Sequence, residues 1–278
     1  MSQSDSDRTY TMGRSPEETQ RLIQQSGLYE EVTRRLLTDA GLFPGMKVLD
    51  IGSGAGDVAF IAAELVGSEG AVVGVDMNAE ILEVARGRAQ EAGLTNVQFL
   101  AGDAQTMDLA NDFDALIGRL VLLYLPDPVA TLKRLATHVR PGGIVAFQEV
   151  ELSIYSSITH PETPMLNELA EWGVEVFRRS GAHTSMGLDL YGTFIDAGLP
   201  EPSLQFVAPV GGPATWGGYQ FIANSFQSIL PLLEAYEIAT AEEVNLETLA
   251  ERLREEVFTS KRPLILPPHI TAWAHLPT

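Results

Sequence analysis

The sequence predicts an α/β fold, a doubly wound, mostly parallel sheet of seven strands with helices on both faces. Three observations carry this. The apolar run Val48-Leu49-Asp50-Ile51 leads into three glycines at alternate positions, Gly52, Gly54 and Gly56, and then Asp57, the pattern of a buried strand turning sharply into a helix. A second apolar run, Val72 to Val75, ends in a carboxylate, Asp76, about twenty residues beyond the last of these glycines. Strand-like and helix-like segments then alternate as far as residue 150, the spacing that joins parallel strands through crossover helices. The class is Rossmann-like, and its ligands bind at the carboxyl ends of the strands.

The elements follow in order. Ser15-Pro16-Glu17-Glu18 is a capping box with proline at the first helical position, so a helix runs from there to about residue 25. Gly27 is expected to break it. A second helix spans Tyr29 to Ala40, with Val32, Leu36 and Leu37 on one face, and Gly41 and Pro44-Gly45 end it. Strand 46–51 leads to helix 57–66, and strand 71–76 to helix 78–92. Strands 97–101 and 113–118 follow, then helix 128–138, the turn Pro141-Gly142-Gly143 and strand 144–150. After Glu151 the pattern changes. A long helix is expected over 163–180, another over 186–198 ending at Gly198 before Pro200, then strand 203–209, a mostly helical stretch over 213–259, and strand 269–274. No internal repeat or long linker intervenes, so residues 1–278 are expected to form one domain. Residues 1–26 would be a lid segment, and helical insertions at 152–185 and 211–262 would cap the cleft.

Composition narrows the partners. The chain has 278 residues, 45% of them hydrophobic, with 18 basic against 37 acidic side chains and a net charge of −19. Such acidity argues against nucleic acid as a partner, because phosphate contacts need basic patches. The densest basic spots are only the pairs Arg34-Arg35, Arg178-Arg179 and Lys261-Arg262. No apolar stretch is long enough to span a bilayer, so no membrane partner is expected. With no cysteine there are no disulfides, thiolate metal sites or thiol nucleophiles, and the start of the chain is polar and acidic. A cytoplasmic location is the natural expectation. The oligomeric state is not fixed by the sequence, and a homodimer is compatible with it.

Several polar side chains stand where apolar ones would be cheaper. Asp50 at the end of a buried strand needs a partner: it either bonds loop N–H groups or faces a charged ligand. Asp76 stands where a ribose acceptor stands relative to the glycines. Asp103 follows the third strand and is either a turn residue or a ligand contact. Arg119 interrupts an apolar run and calls for an ion pair or a ligand carboxylate.

The run Val48 to Gly56, Asp76, the pair Asp103-Ala104 and Pro141-Gly142-Gly143 together resemble the class I S-adenosylmethionine-dependent methyltransferases, most closely the ubiquinone/menaquinone-type branch that acts on small molecules. The resemblance covers Ser15 to Glu151 well and continues weakly to the last strand. It implies that Gly52, Ser53 and Gly54 line the methionine and ribose part of S-adenosylmethionine. It implies that Asp76 holds the ribose hydroxyls, that Met77 packs on the adenine, and that Asp103 and the Ala104 N–H meet the adenine edge. Asp50 and Arg119 would stand near the methionine end, and Tyr10 would fold over the cofactor. S-adenosylhomocysteine would be the product.

Absences narrow the chemistry further. After the fourth strand the chain reads Gly118-Arg119-Leu120-Val121-Leu122-Leu123-Tyr124, without the Asp/Asn-Pro-Pro-Tyr motif that serves amide-type nitrogen. Oxygen or carbon of a small apolar or aromatic molecule is therefore the expected acceptor. Displacement at a sulfonium releases a neutral thioether and needs no acid, so alignment in a dry pocket is the main task. Candidates for direct participation are His160, just after the fifth strand, as a base, and Glu149 and Tyr124 as groups meeting the substrate. No metal site is expected, since the histidines lack ligand spacing. Two other readings compete. One is an NAD-dependent oxidoreductase, although the glycine spacing departs from G-x-G-x-x-G and no Tyr-x-x-x-Lys occurs. The other is a cyclase or a binding module that holds the same cofactor without methyl transfer.

Overall fold

A computed structural model describes residues 16–278, with side chains from Gly27 onward. In chain order the elements are α1 (Pro16–Asp39), β1 (Lys47–Ile51), α2 (Asp57–Val66), β2 (Ala71–Asp76), α3 (Ala79–Glu91), β3 (Val97–Ala101), β4 (Phe113–Arg119), α4 (Pro128–Ala136) and β5 (Val139–Val150). There follow α5 (Tyr155–Ile158), α6 (Pro164–Arg179), α7 (Met186–Asp196), β6 (Ser203–Val207), β7 (Val210–Gly211), α8 (Gly218–Ala235), α9 (Ala241–Val244), α10 (Leu246–Ser260), β8 (Leu264–Ile265) and β9 (His269–His275).

The main sheet has seven strands in the order β3-β2-β1-β4-β5-β9-β6. Strands β1 to β5 are parallel, and β9 runs against both of its neighbours. The order reverses between β1 and β4, which opens a crevice at their carboxyl ends. The expected doubly wound sheet is thus present, with each of its seven strands close to the residues anticipated.

Local chemistry explains the boundaries. Gly56 precedes α2 in a left-handed conformation (φ 91) with no side-chain cap. The Asn78 side chain accepts from Glu80 and Ile81 N–H to start α3, and Asp127 caps α4 ahead of Pro128, as orphan helical N–H groups require. Small residues on α2, with Ala59 and Ala62 fully buried, lie against Val48, Val72 and Ile117 of the sheet in one cluster. Burying each large side chain of this kind contributes about 1.5–3 kcal/mol. On the opposite face Phe147 meets Phe194 of α7 edge-on at 6.5 Å.

Two expectations about elements are corrected. Gly27 does not end a helix, since α1 is continuous through it. Pro141-Gly142-Gly143 does not precede a strand but lies within β5, where the register with β4 shifts and regular pairing resumes at Ile144. A small ribbon of β7 and β8 was not anticipated.

The described chain divides into two compact units. One is the sheet with its helices, residues 29–150, 186–207 and 269–278. The other comprises 151–185 and 208–268 with the described residues up to Leu28. These segments contain the two expected insertions. Val150, His269 and Val207 are register partners across β5, β9 and β6, so the chain leaves and rejoins the sheet at its carboxyl edge. Within the insertion unit α8 packs on α10 and α6, and the Glu256 carboxylate caps α6 through Met165 N–H at 2.7 Å.

Candidate active site at the carboxyl edge of the sheet

The three glycines of the β1–α2 loop have separate reasons to be glycine. All take positive φ: 63 at Gly52, 50 at Gly54 and 91 at Gly56. A Cβ at Gly52 would sit 2.7 Å from Val121, and one at Gly56 would strike Phe60. A Cβ at Gly54 would meet no described atom within 4 Å. The space against Gly54 is therefore open to a ligand, and the backbone there has no side chain of its own to fill it.

Asp76 ends β2 half-buried. Its Oδ2 accepts from Gly54 N–H at 2.9 Å and its Oδ1 from Asn78 N–H at 2.8 Å. Both carboxylate oxygens therefore shape the glycine loop and the turn that follows β2. Met77 beside Asp76 is 64% exposed. At the end of β3 the Asp103 Oδ1 accepts from Gln105 N–H at 2.8 Å, so Asp103 shapes its own turn. The Ala104 carbonyl is held by Arg134 at 2.7 Å.

Beneath the loop lies a concentration of buried charge. Asp50 is 1% exposed, and neither carboxylate oxygen has a hydrogen-bond partner of ordinary geometry. Burial drives its pKa well above the usual carboxylate range. The Arg119 charge opposes the shift, Asp76 and Asp57 add to it, and the Ala59 N–H offsets it least. Ser53 Oγ is also buried without a partner. Asp57, at the first position of α2, pairs with Arg88 at 2.8 Å and with Arg119 at 3.6 Å. A buried Asp50 without a hydrogen-bond partner among the described residues, beside an open glycine loop, fits a ligand carrying positive charge. On the same observations, the residues present fit S-adenosylmethionine.

Arg119 is tied into a buried polar chain. Its Nη1 donates to Thr33 Oγ1 at 3.1 Å. That hydroxyl donates to Gln148 Oε1 at 2.8 Å, with the Tyr29 carbonyl also 3.1 Å away. Gln148 Nε2 lies 2.8 Å from His269 Nδ1, and the His269 ring stacks on Tyr29 at 4.0 Å. Burial, helped by the Arg119 charge, pulls the His269 pKa down to about 3. The ring is therefore neutral, accepting at Nδ1 with its proton on Nε2.

The catalytic candidates separate. Glu149 is fully buried, with Oε1 accepting from Val121 and Leu122 N–H at 3.0 and 2.8 Å. Burial raises its pKa to about 7, against the pull of the Leu122, Val121 and Leu123 N–H groups. This corrects the expectation that Glu149 meets substrate, because its carboxyl is sealed from solvent. Tyr124 is half-buried in a 3-10 turn, Leu122–Tyr124, just after β4. His160 lies in the insertion unit. Its Nδ1 accepts from Glu162 N–H at 3.1 Å and its carbonyl accepts from Thr163 N–H at 2.9 Å, a turn leading into α6. Tyr10 lies outside the described residues.

The structure thus brings Asp50, Gly52, Ser53, Gly54, Asp76, Met77, Asp103, Ala104, Arg119, Tyr124 and Glu149 to the carboxyl ends of β1 to β5, and leaves His160 in the other unit. Sequence reasoning missed Thr33, Asp57 and Arg88. Of these only Asp57, next to the last glycine, carries a local signal. Among the described residues no group of three or more His, Asp or Glu side chains is placed to hold a metal ion.

Residues 42–192 match the family model described as a methyltransferase domain, more than half of the chain. The chain belongs to this family. It is 38% identical over 138 residues to the aklanonic acid methyltransferase of Streptomyces sp. (strain C5), covering 46% of this chain and 63% of the relative. It is 35% identical over 117 residues to the demethylmenaquinone methyltransferase of Staphylococcus aureus (strain MRSA252), covering 42% of this chain and 48% of the relative. The chain therefore spans less than two thirds of either. Among solved structures, a phosphoethanolamine N-methyltransferase from Haemonchus contortus superposes with a TM-score of 0.58 at 16% identity, covering 94% of this chain and 58% of that one, which shows a shared fold. The family and the Rossmann-like fold implied by the sequence resemblance are both borne out. No described helix is long and apolar enough to cross a membrane.

Proposed function

We propose that this chain is an S-adenosylmethionine-dependent methyltransferase acting on oxygen or carbon of a small apolar or aromatic molecule. The observation that carries the reading is the joint geometry of the glycine loop and Asp76. The carboxylate holds Gly54 and Asn78 N–H, beside a Gly54 where an added Cβ would meet no described atom within 4 Å and an exposed Met77. Family membership supports the reaction class, and the two curated relatives are named for aklanonic acid and demethylmenaquinone.

When bound, S-adenosylmethionine supplies a sulfonium methyl group that a nucleophile displaces in line. The residues of this chain bind and orient. Asp76 would accept from the ribose hydroxyls, Met77 and Asp103 would address the adenine, and Asp50 with Arg119 would set the electrostatics at the methionine end. Leu120 to Tyr124 supply an apolar wall that excludes water from the transfer. No described side chain at the sheet edge stands as a free base, so alignment rather than proton abstraction is the main contribution. In the same reading the insertions at 152–185 and 211–262 recognise the substrate. They hold Trp172 and Trp216, two of the three tryptophans, and both join the sheet at its carboxyl edge. Cytoplasmic residence, supported by the absence of cysteine, and a homodimer belong to the proposal too. Fractionation and sedimentation test them.

Calorimetry with S-adenosylhomocysteine and with NAD⁺ tests the cofactor reading. Binding of the first and not the second is expected. A folded protein that binds neither ends the reading, and one that binds only NAD⁺ turns it to the oxidoreductase. Release of S-adenosylhomocysteine with a panel of phenols and carbon acids then separates methyl transfer from cofactor binding alone.

A further inference from the structure

Glu149 is the last residue but one of β5, on the same side of the sheet as Phe147, and its carboxyl is engaged by backbone alone. Oε1 accepts from two successive peptide groups, Val121 N–H and Leu122 N–H, while Oε2 is buried with no hydrogen-bond partner. The residue just before this pair, Leu120, stands at φ 55, a left-handed conformation that a leucine rarely adopts. The Leu120 N–H is itself tied to the Gln148 carbonyl at 2.9 Å. The turn after β4 is therefore held by two consecutive residues of β5, in a shape it would not take unaided. This turn reaches the glycine loop through one side chain. A Cβ at Gly52 would come within 2.7 Å of Val121 Cγ2, and one at Gly118 within 3.0 Å of Val121 Cγ1. Val121 thus fills the space that Gly52 leaves, and at Gly118 it shares that space with Phe147, whose Cε1 would lie 2.6 Å from the added Cβ.

We propose that Glu149 is a positioning residue whose carboxyl clamps the strained turn Leu120–Leu122, so that Val121 braces Gly52 and keeps the cofactor loop in its binding form. The inference rests on the cofactor reading above for its functional consequence. A buried carboxyl with one oxygen unmatched is a costly way to end a strand. An apolar residue would pack there without that cost but would leave both N–H groups unpaired.

Glu149→Ala and Glu149→Gln, with Val121→Ala as an independent probe, test the clamp by S-adenosylhomocysteine calorimetry and amide hydrogen exchange. In Glu149→Ala, affinity should fall about tenfold or more on loss of two acceptor contacts, and exchange at Val121 and Leu122 should accelerate while the central strands stay protected. Glu149→Gln keeps an acceptor oxygen and should rescue affinity to within about threefold of wild type. Should Glu149→Ala not fold, Val121→Ala carries the test, since losing the brace should weaken binding in the same direction. Unchanged affinity in Glu149→Ala or in Val121→Ala overturns the proposal. So does a Glu149→Gln protein that binds as poorly as Glu149→Ala with exchange at Val121 still slow. A wild-type protein that binds no S-adenosylhomocysteine defeats the cofactor reading instead, and exchange at Val121 and Leu122 still decides whether Glu149 holds the turn.

Discussion

In the proposed site Asp76 serves both loop and ligand with one side chain. Its carboxylate organises Gly54 and Asn78, so on that reading Asp76→Ala removes the ribose acceptor and loosens the loop together. We expect S-adenosylhomocysteine binding to weaken by about 1.5–3 kcal/mol, the scale of hydrogen bonds to a charged group, with Asp76→Asn intermediate. Unchanged calorimetric affinity in a folded Asp76→Ala protein would remove this residue from the site. Glu149 and His269 titrate in opposite senses. The Glu149 pKa rises from 4.5 to about 7, so the native state holds this proton more tightly than the unfolded chain. Its contribution to stability is full below pH 4.5 and is lost as pH rises to about 7. The His269 pKa drops from 6.5 to about 3, so its contribution is present above 6.5 and is lost as pH falls. Each effect is on the order of 3 kcal/mol. Urea denaturation over about pH 4 to 8, taken as wild type minus variant, separates them. Against Glu149→Gln the difference should move in favour of wild type as pH falls from 7. Against His269→Phe, which keeps the ring stack, it should move against wild type below 6.5. A flat difference curve would show that the group does not titrate as its burial requires.

At the scale of elements, α1 is the instructive case. A glycine at position 27 is a reasonable breaker by local propensity, which disfavours it by about 0.8–1.0 kcal/mol relative to alanine. The helix nonetheless continues through it. Tyr29, Leu36 and Leu37 are almost fully buried, and tertiary packing of that face outweighs one weak residue. Gly27 is exposed, and a Cβ there would meet no described atom within 4 Å. Gly27→Ala should therefore stabilise the protein by about 0.5–1 kcal/mol in urea denaturation. A loss of stability would mean that the backbone at this position is not helical. The Pro141-Gly142-Gly143 segment errs the other way. Its turn chemistry was legible, but only pairing of Val139 with Phe113 makes it part of the strand.

For the molecule as a whole, the charge of −19 is the dominant long-range feature. Many of the ion pairs are short-range surface contacts, such as Arg34 with Glu30 and Glu64, and exposed pairs contribute about 0–1 kcal/mol each. They cannot offset an excess of acids spread over the surface, whose mutual repulsion disfavours the compact state. Raising sodium chloride shortens the Debye length from about 30 Å at 0.01 M to about 8 Å at 0.15 M, so the thermal midpoint should rise over that range. A midpoint that falls would show that the surface pairs outweigh the net repulsion.

The sequence alone determined the alternation of strands and helices, the glycine loop, and the acids at positions 76 and 103. These are local signals: an apolar run of strand length, a residue that permits positive φ, a carboxylate at a strand end. Each is written within a few residues of where it acts. Only the tertiary structure decided what Asp50, Arg119, Gln148, Glu149 and His269 do. Thr33 meets Gln148 across 115 residues of chain, and Gln148 meets His269 across 121. Glu149 reaches Val121 and Leu122 by way of the sheet. Such partnerships are set by strand order, register and the packing of α1 on the sheet. A buried polar group leaves no periodic trace in sequence to name its partner, and a histidine or glutamate reads the same whether it faces substrate or, as here, is buried with its hydrogen bonds made inside the protein.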